Sequence, residues 1–231
     1  MKVTGSEALI KSLYEEDGDT IFGYPGGAIM PIYDALYSYM DKVNHILTRH
    51  EQGAIHAAQG YSRVSGKVGV CFATSGPGAT NLITGIADAQ IDSTPLVCIT
   101  GQVPSHLLGT DAFQESDVIG ISMPVTKWNY QITSSKEIPE IISKAFYIAK
   151  SGRPGPVLID ITKDAQFSDL NFKYKRCEKI RSYHPYPILD ENKVSDAAKL
   201  IDKSKRPMIL VGQGVLLSNA CLLYTSDAAD E

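Results

Sequence analysis

The stretch VGVCFATSGPGATN, residues 68–81, decides the fold class of this chain. Residues 68–73 form a continuous run of apolar and small side chains without polar alternation, which is typical of a strand buried on both faces. A turn of small and hydroxylated residues follows, and a helical pattern then runs from Asn81 to Ala89. Because buried strands that alternate with helices form parallel sheets, this stretch predicts an α/β fold.

The same alternation continues on both sides of this stretch. Thr4 and Glu7 form a capping-box pattern that starts a helix, and Gly66 is a candidate C-cap for a later one. The predicted helices span residues 4–16, 29–40, 52–64, 81–89 and 138–149, and the predicted strands 20–22, 43–47, 68–73, 95–100, 125–132 and 157–161. We therefore expect a parallel sheet with helices on both faces.

Composition divides the chain into four segments. Residues 1–166 form the predicted α/β domain, and residues 167–189 are basic and then rich in proline and tyrosine, as in an interdomain linker. Residues 190–220 predict the start of a second α/β domain, with a helix over 191–203 and a strand over 208–211. Residues 221–231 continue no clear element. Because about 40 residues cannot bury a core alone, we expect a truncated chain with a tail of doubtful origin.

Charge and hydropathy exclude several classes of function. The formal net charge is -4, so the sequence predicts no nucleic-acid partner. It predicts no membrane partner either, since no apolar run reaches the roughly 18 residues of a membrane-spanning helix. The N-terminus lacks signal-peptide character, and the four cysteines form no C-x-x-C pair. We expect a cytoplasmic protein with free thiols, those of Cys71 and Cys98 being buried.

Three loops that follow predicted strands carry candidate functional residues. Glu51 opens the helix at 52–64 and is either a ligand-binding carboxyl group or an ordinary first-turn glutamate favoured by the helix dipole. Gly26 and Gly27 allow a ligand to approach the backbone, or simply permit a tight turn. Residues 74–81 could cradle a phosphate at a helix N-terminus, but they match neither a Walker loop nor G-x-G-x-x-G. All three loops lie where open α/β sheets bind ligands.

Five motifs in a fixed order resemble the acetolactate synthases, which are thiamine-diphosphate enzymes. These motifs are FGYPGG at 22–27, RHEQGA at 49–54, TSGPGATN at 74–81, GTDAFQE at 109–115 and SGRPGP at 151–156. The resemblance covers roughly residues 1–215. It identifies residues 1–166 as a thiamine-diphosphate pyrimidine-binding domain and residues 190–220 as the start of a central flavin-binding domain.

The resemblance implies a role for each matching residue. Glu51 matches the glutamate that hydrogen-bonds the cofactor's aminopyrimidine and promotes loss of the thiazolium proton, and Gln114 matches a hydrogen-bond donor near the reacting carbon. The other cofactor-binding residues that it implies are Tyr24, Pro25, Gly26, Gly27, Thr74, Phe113 and, at a flavin contact, Arg153. The implied substrate channel is lined by Ala28, Pro104, Ala112 and Lys163. One departure is Thr162, where the family usually has proline before this lysine.

The implied reaction is decarboxylation of pyruvate and transfer of its two-carbon unit to a second 2-oxo acid. The products are 2-acetolactate or 2-aceto-2-hydroxybutyrate, precursors of valine, leucine and isoleucine. The implied cofactors are thiamine diphosphate, Mg²⁺ bound outside this chain, and FAD bound mostly outside it, so no metal ligand is expected here. The implied partners are a homodimer or homotetramer with the active site at the subunit interface, and a small regulatory subunit.

Two other classes of function remain open at this stage. A related thiamine-diphosphate enzyme, such as a pyruvate oxidase, an oxalyl-coenzyme A decarboxylase or a glyoxylate carboligase, would share single motifs. Glu51 argues against a glyoxylate carboligase, which lacks that glutamate, and residues 111–115 argue against the more distant relatives. A non-catalytic fragment is the third interpretation, because the metal–diphosphate region is missing from these 231 residues.

Overall fold

The computed structural model describes residues 1–218 and Ala220 as two compact units. The first unit spans Met1–Tyr186, and the second begins at Pro187. The first unit therefore includes most of the segment 167–189 that the sequence analysis assigns to a linker. The predicted tail 221–231, with Cys221, lies outside the described residues.

A six-stranded parallel sheet organises the first unit, as predicted. Its strands are β2 (Thr20–Gly23), β3 (Asn44–Leu47), β4 (Gly69–Ala73), β5 (Leu96–Gln102), β6 (Trp128–Ile132) and β7 (Pro156–Thr162). Their order across the sheet is β3-β2-β4-β5-β7-β6, and every neighbouring pair is parallel. The strand predicted over residues 125–132 is shorter than expected, because Met123–Val125 form a 3-10 turn.

Helices cover both faces of this sheet, which confirms the predicted layers. In chain order they are α1 (Gly5–Glu15), α2 (Met30–Tyr37), α3 (Glu51–Ser65), α4 (Pro77–Thr80), α5 (Ile83–Ile91), α6 (Val118–Ser122), α7 (Ile138–Lys150) and α8 (Lys163–Phe167). Side chains that alternate along β4 point to opposite faces. Val70 and Phe72 join a core with α1, α2 and α7, whereas Cys71 and Ala73 join a core with α3 and α5.

The predicted helix signals also have their expected geometry. Thr4 and Glu7 form both hydrogen bonds of a capping box at α1. Gly66 ends α3 with a φ of 72°, in the left-handed region that favours glycine. Cys71, Cys98 and Cys177 are free, and the first two are buried as expected. Within the described residues, no helix is long and apolar enough to cross a membrane.

A second, small sheet was not predicted. Strand β1 (Lys2–Thr4) pairs antiparallel with β8 (Asp169–Asn171), so part of the predicted linker belongs to the first unit. Tyr174 continues this attachment, since its hydroxyl lies 2.5 Å from Oε1 of the buried Glu16. Three-residue strands with partners about 165 residues away leave no periodic signal in the sequence.

The second unit contains two described helices, α9 (Glu191–Lys203) and α10 (Gln213–Leu217), with no buried residue in either. The helix predicted over 191–203 is confirmed. The strand predicted over Met208–Val211 is wrong, because these residues form no strand and are exposed. Parallel strands need neighbours to supply their backbone hydrogen bonds, and no strand of this unit lies within the described residues.

Candidate functional site

Most of the candidate residues lie at the carboxyl edge of the sheet, where all six parallel strands end. The loops after β2, β3, β4 and β5 come from adjacent strands, since these four lie in the order β3-β2-β4-β5. These loops carry the motifs at 22–27, 49–54, 74–81 and 109–115. The topology therefore brings together motifs that are separated by up to about 90 residues in sequence.

Glu51 lies at the centre of this edge, as the first residue of α3. It is buried, with 7% of its surface exposed. Its Oε2 accepts a hydrogen bond of 3.0 Å from Asn81 Nδ2, and no donor in the described part of the chain reaches Oε1. The helix N-terminus favours a negative charge at this position. His50 completes the N-cap, with its Nδ1 accepting from the Gln52 amide at 3.1 Å.

Gly78 permits the close approach between α4 and Glu51. A Cβ at this position would lie 2.6 Å from Thr74 Cγ2 and 3.1 Å from Glu51 Oε1. Any other residue would therefore have to displace the carboxyl group or the threonine. The sequence pattern GPG at 76–78 is thus tied to the position of Glu51.

Thr74 joins the loops after β2 and β4. Its Oγ1 accepts a 3.2 Å hydrogen bond from the Ala28 amide. A Cβ on Gly26 would lie 2.5 Å from Thr74 Cβ, so the two loops pack through the glycine backbone. Gly27 differs, since a Cβ there would meet nothing within 4 Å. Tyr24 and Pro25 are exposed beside it.

The long loop at 103–117, between β5 and α6, carries Gln114. This residue has a φ of 58°. Its carbonyl oxygen would lie only 2.6 Å from a Cβ on Gly76. The Glu115 carboxylate accepts from the amides of Gly109 and Ala112, and these bonds, the Gly109 one most, lower its pKa. Phe113 is 87% exposed, and Gln114 is also exposed.

The channel residues implied by the resemblance also lie at this edge. Pro104 follows β5, and Lys163 begins α8 directly after β7. Asp164 connects these two segments, because its carboxylate accepts from the Ser105 amide at 2.8 Å and from the Ser105 hydroxyl at 2.7 Å. The Ala28 carbonyl accepts from Gln166 Nε2 in α8 at 2.9 Å, which joins the loop after β2 to the same group.

Arg153 lies at the opposite edge of the sheet. It precedes β7, and its side chain caps the C-terminus of α5, with Nη2 2.8 Å from the Ile91 carbonyl oxygen and Nε 2.8 Å from Ser93 Oγ. A cation at a helix C-terminus stabilises the helix dipole. The structure therefore separates Arg153 from Glu51 by the length of the strands, and its flavin contact stays a prediction.

Sequence reasoning missed a buried polar cluster beneath the 103–117 loop. Asp160 in β7 is fully buried, and its carboxylate accepts from Thr100 Oγ1 at 2.6 Å, Gln131 Nε2 at 2.8 Å and Gln102 Nε2 at 3.1 Å. Burial raises the pKa of Asp160, although the three hydrogen bonds oppose that rise. Its signal in the sequence was an aspartate inside the apolar run 157–161. Among the described residues, no cluster of His, Cys, Asp and Glu suits a metal ion.

Comparison with known proteins places this arrangement in a family. Residues 3–121 match the family described as thiamine pyrophosphate enzyme, N-terminal TPP binding domain, which covers just over half of the chain. The chain belongs to the thiamine pyrophosphate enzymes. The matched range contains Glu51, Thr74 and Gln114, whereas Arg153, Asp160 and Lys163 follow it.

Individual relatives resemble the chain over nearly its whole length. It is 53% identical over 219 residues to the acetolactate synthase large subunit of Corynebacterium glutamicum, covering 95% of this chain and 35% of that protein. It is 54% identical over 221 residues to a probable acetolactate synthase large subunit of Methanococcus aeolicus, covering 94% and 37%. The acetolactate synthase large subunit of Porphyra purpurea is 50% identical over 223 residues, with 94% and 38% covered. The chain thus spans little more than a third of these relatives.

Proposed function

We propose that the chain supplies the aminopyrimidine-binding half of an acetolactate synthase active site. The complete enzyme would decarboxylate pyruvate and join its two-carbon unit to a second 2-oxo acid, pyruvate or 2-oxobutyrate. One observation carries this proposal: a buried glutamate, Glu51, begins a helix at the carboxyl edge of the sheet of a TPP binding domain. The similarity to acetolactate synthase large subunits supports the choice of reaction.

The residues around Glu51 fit thiamine diphosphate at its aminopyrimidine end. Asn81 occupies Oε2, which leaves Oε1 available to a ring nitrogen. Gly78 keeps the space beside Oε1 free of a side chain, and Gly27 leaves open space on the neighbouring loop. When bound, thiamine diphosphate supplies a carbon nucleophile and an electron sink for decarboxylation. The Mg²⁺ and most of the FAD site belong, in this proposal, to segments outside this chain.

The residues around the proposed cofactor site have different roles in the proposed reaction. Glu51 exchanges a proton with the aminopyrimidine and so sets which tautomer is present. Gln114 donates a hydrogen bond near the reacting carbon, where negative charge develops. Phe113 forms an apolar wall that excludes water. Tyr24 and Pro25 line the cofactor beside Gly26 and Gly27, and Thr74 holds that loop in place.

The proposed channel to the reacting carbon uses four further residues. Ala28, Pro104 and Ala112 provide small or rigid walls, and Lys163 stands at the entrance, where its ammonium group attracts the carboxylate of a 2-oxo acid. Arg153 is proposed to contact the flavin. Its position at the other edge of the sheet means that this contact is separate from the chemistry at Glu51.

Exposed apolar side chains support a shared site. Tyr24 is 42% exposed, Leu47 65% and Phe113 87%, although all three lie at the same edge as the buried Glu51. Large apolar groups around a functional edge are typical of a surface that another chain or domain covers. We therefore propose a homodimer or homotetramer with the active site at the interface, and a small regulatory subunit as a further partner. The cytoplasmic location stays a prediction.

A chimera tests the proposal without requiring activity of this chain alone. Residues 1–215 of this chain would replace the matching segment of the Corynebacterium glutamicum large subunit, to which the chain is 53% identical. We expect the purified chimera to form acetolactate from pyruvate. The 231-residue chain by itself should show negligible decarboxylation of pyruvate.

The outcomes separate the proposed reaction from its alternatives. A chimera that folds and assembles yet makes no acetolactate contradicts the proposed function. Release of carbon dioxide without acetolactate indicates a decarboxylase or oxidase of the same family. Appreciable turnover by the isolated chain contradicts the shared site.

A further inference from the structure

The side chain of Gln102 closes the base of the loop 103–117. Its Oε1 accepts a 2.9 Å hydrogen bond from the Val103 amide, at the start of the loop. Its Nε2 donates a 3.1 Å hydrogen bond to the Ser116 carbonyl oxygen, at the end. One buried side chain therefore connects both ends of a loop of 15 residues. The loop carries Gln114 near its C-terminal end.

Asp160 fixes which way the Gln102 amide points. A backbone N–H can only donate and a backbone carbonyl can only accept, so Val103 and Ser116 both require the observed orientation. In that orientation Nε2 has a second hydrogen, and the Asp160 carboxylate accepts it at 3.1 Å. Because Asp160 is held by Thr100 and Gln131 as well, it anchors Gln102 to the sheet.

The loop has other attachments, but among the described residues none joins its two ends. Ser105 is bound to Asp164 near the start, and Glu115 binds amides within the loop. Gln114 itself lies against Gly76 in a left-handed conformation, with a φ of 58°. Such a conformation persists only where the surroundings hold it. Closure at Gln102 shortens the free span of the loop and thereby restrains Gln114.

We propose that Gln102, anchored by Asp160, is a positioning residue that holds the loop 103–117 closed and so places Gln114 for the reaction. The placement of Gln114 rests on the proposed function, whereas closure of the loop does not. The two parts therefore need separate measurements.

Hydrogen exchange of the full 231-residue chain tests closure. Gln102→Met keeps the length of the side chain but removes all three hydrogen bonds. We expect the amides of Gly109, Ala112 and Glu115 to exchange about tenfold faster, since a loop without this closure opens more often. These three amides donate to Glu115 or Ala112, whereas the Val103 amide donates to Gln102 itself and is therefore excluded.

Gln131→Met is the matched control. It removes one donor to the same Asp160 carboxylate, and in the described part of the chain Gln131 has no hydrogen bond to the loop. Loop exchange in this variant should stay within about twofold of wild type, even if global stability falls. Equal acceleration in both methionine variants, or no acceleration in Gln102→Met, overturns the proposal.

Gln102→Glu provides a pH-dependent measurement that also serves if Gln102→Met does not fold. The neutral carboxyl group can accept from Val103 and donate one hydrogen bond, whereas the carboxylate cannot donate and faces the acidic groups Asp160 and, further away, Asp117. After correction for the intrinsic pH dependence, loop exchange should be at least about threefold slower at pH 5 than at pH 8. The same exchange at both pH values contradicts the role of the donor.

Kinetics of the chimera then test the placement of Gln114. Gln102→Met should lower kcat more than it raises KM, and Gln131→Met should change neither by more than about twofold. Faster loop exchange with an unchanged kcat overturns the placement of Gln114 while leaving closure intact. If the unmutated chimera is inactive, the proposed function fails, yet the exchange measurements still decide closure.

Discussion

Two buried carboxyl groups at the same edge of the sheet have opposite surroundings. Asp160 is fully buried and accepts hydrogen bonds from three side chains. Glu51 is 7% exposed and, within the described residues, accepts from one side chain, that of Asn81. The first lies inside a strand, and the second lies at the junction of a loop and a helix.

The comparison separates a structural carboxylate from one that is available to a ligand. Buried polar groups in folded proteins are normally hydrogen-bonded, so a complete set of protein donors leaves nothing for another molecule. Asp160 has such a set, and its donors come from β5 and β6 on either side of β7. Among the described residues no donor reaches the second oxygen of Glu51, which lies beside the space that Gly78 preserves. Asp160 should therefore act mainly on the stability of the fold, and Glu51 on direct contact with a ligand.

The largest expected effect is on catalysis by the chimera with Glu51→Gln. Loss of the proton-exchanging group that we propose for the cofactor should slow acetolactate formation about a thousandfold, and thiazolium proton exchange with it. The free energy of unfolding should change by less than about 0.5 kcal/mol, since glutamine can still accept from Asn81. Steady-state kinetics measures the rate, and urea unfolding measures the free energy of unfolding. Glu140→Gln, at an exposed position on α7, is the control, and equal activity in the two variants contradicts the assigned role.

Asp160→Asn should lower the free energy of unfolding, unlike Glu51→Gln. The new amide nitrogen would face the donors of Gln102 or Gln131, so we expect a loss of about 2–3 kcal/mol in the free energy of unfolding. Urea titration followed by the fluorescence of Trp128, the single tryptophan, measures this loss. Trp128 lies on β6, beside β7, and reports on this part of the sheet. Asp169→Asn, at an exposed site, should cost little, and a comparable loss there contradicts the comparison.

Gly78→Ala tests the space beside Glu51. The added Cβ would lie 2.6 Å from Thr74 Cγ2, so we expect a loss of about 1–2 kcal/mol from crowding. Gly60→Ala is the control, because Gly60 lies within α3 and a Cβ there meets nothing within 4 Å. That change should stabilise the chain by about 0.5–1 kcal/mol. The midpoint temperatures of thermal unfolding of the two variants should shift in opposite directions from that of wild type. Shifts of the same sign contradict the close contact at Gly78.

The smallest expected effect is the pH dependence of the contribution that Asp160 makes to the free energy of unfolding. Burial raises the pKa of Asp160 in the folded chain above its ordinary value of 3.8. The folded state then binds more protons than the unfolded state between the two pKa values, so this contribution to stability falls as pH rises through that window. Asp19, whose pKa the Lys67 ammonium lowers, acts in the opposite direction.

The difference between wild type and Asp160→Asn isolates this contribution, because Asp19 is common to both chains. Urea unfolding at several pH values should give a stability advantage of wild type that decreases as pH rises above about 4. An advantage that increases over this range contradicts a raised pKa.

Local signals were enough to predict most of the first unit. Continuous apolar runs around Val70, Val97 and Ile159 predicted buried strands, and helical periodicity between them predicted the covering helices. Pairing that depends on distant partners was not predictable. The β1–β8 sheet was missed for that reason, and the apolar run Met208–Val211 was wrongly predicted as a strand because composition does not indicate whether neighbours exist.

The candidate site was predicted unevenly for a related physical reason. Glu51 and the glycines near it lie at strand ends, where sequence pattern locates loops, so their proximity followed from the topology. Arg153 has an equally clear motif, yet it precedes its strand and therefore lies at the other edge. Gln102 and Asp160 act through contacts between neighbouring strands, and pairing order cannot be read from either strand alone. Their hydrogen bonds are visible only in the three-dimensional structure.

The pairing of β1 with β8 bears on whether such a domain tolerates insertion into other chains and circular permutation. Lys2 lies opposite Asn171, and the Phe172 amide donates to the Met1 carbonyl oxygen at 2.9 Å. The segments that lead into and out of the six-stranded sheet therefore lie side by side. Domains whose two ends meet tolerate insertion into other chains and circular permutation. A permuted gene that joins residue 172 to residue 1 through a short linker should therefore encode the same parallel sheet.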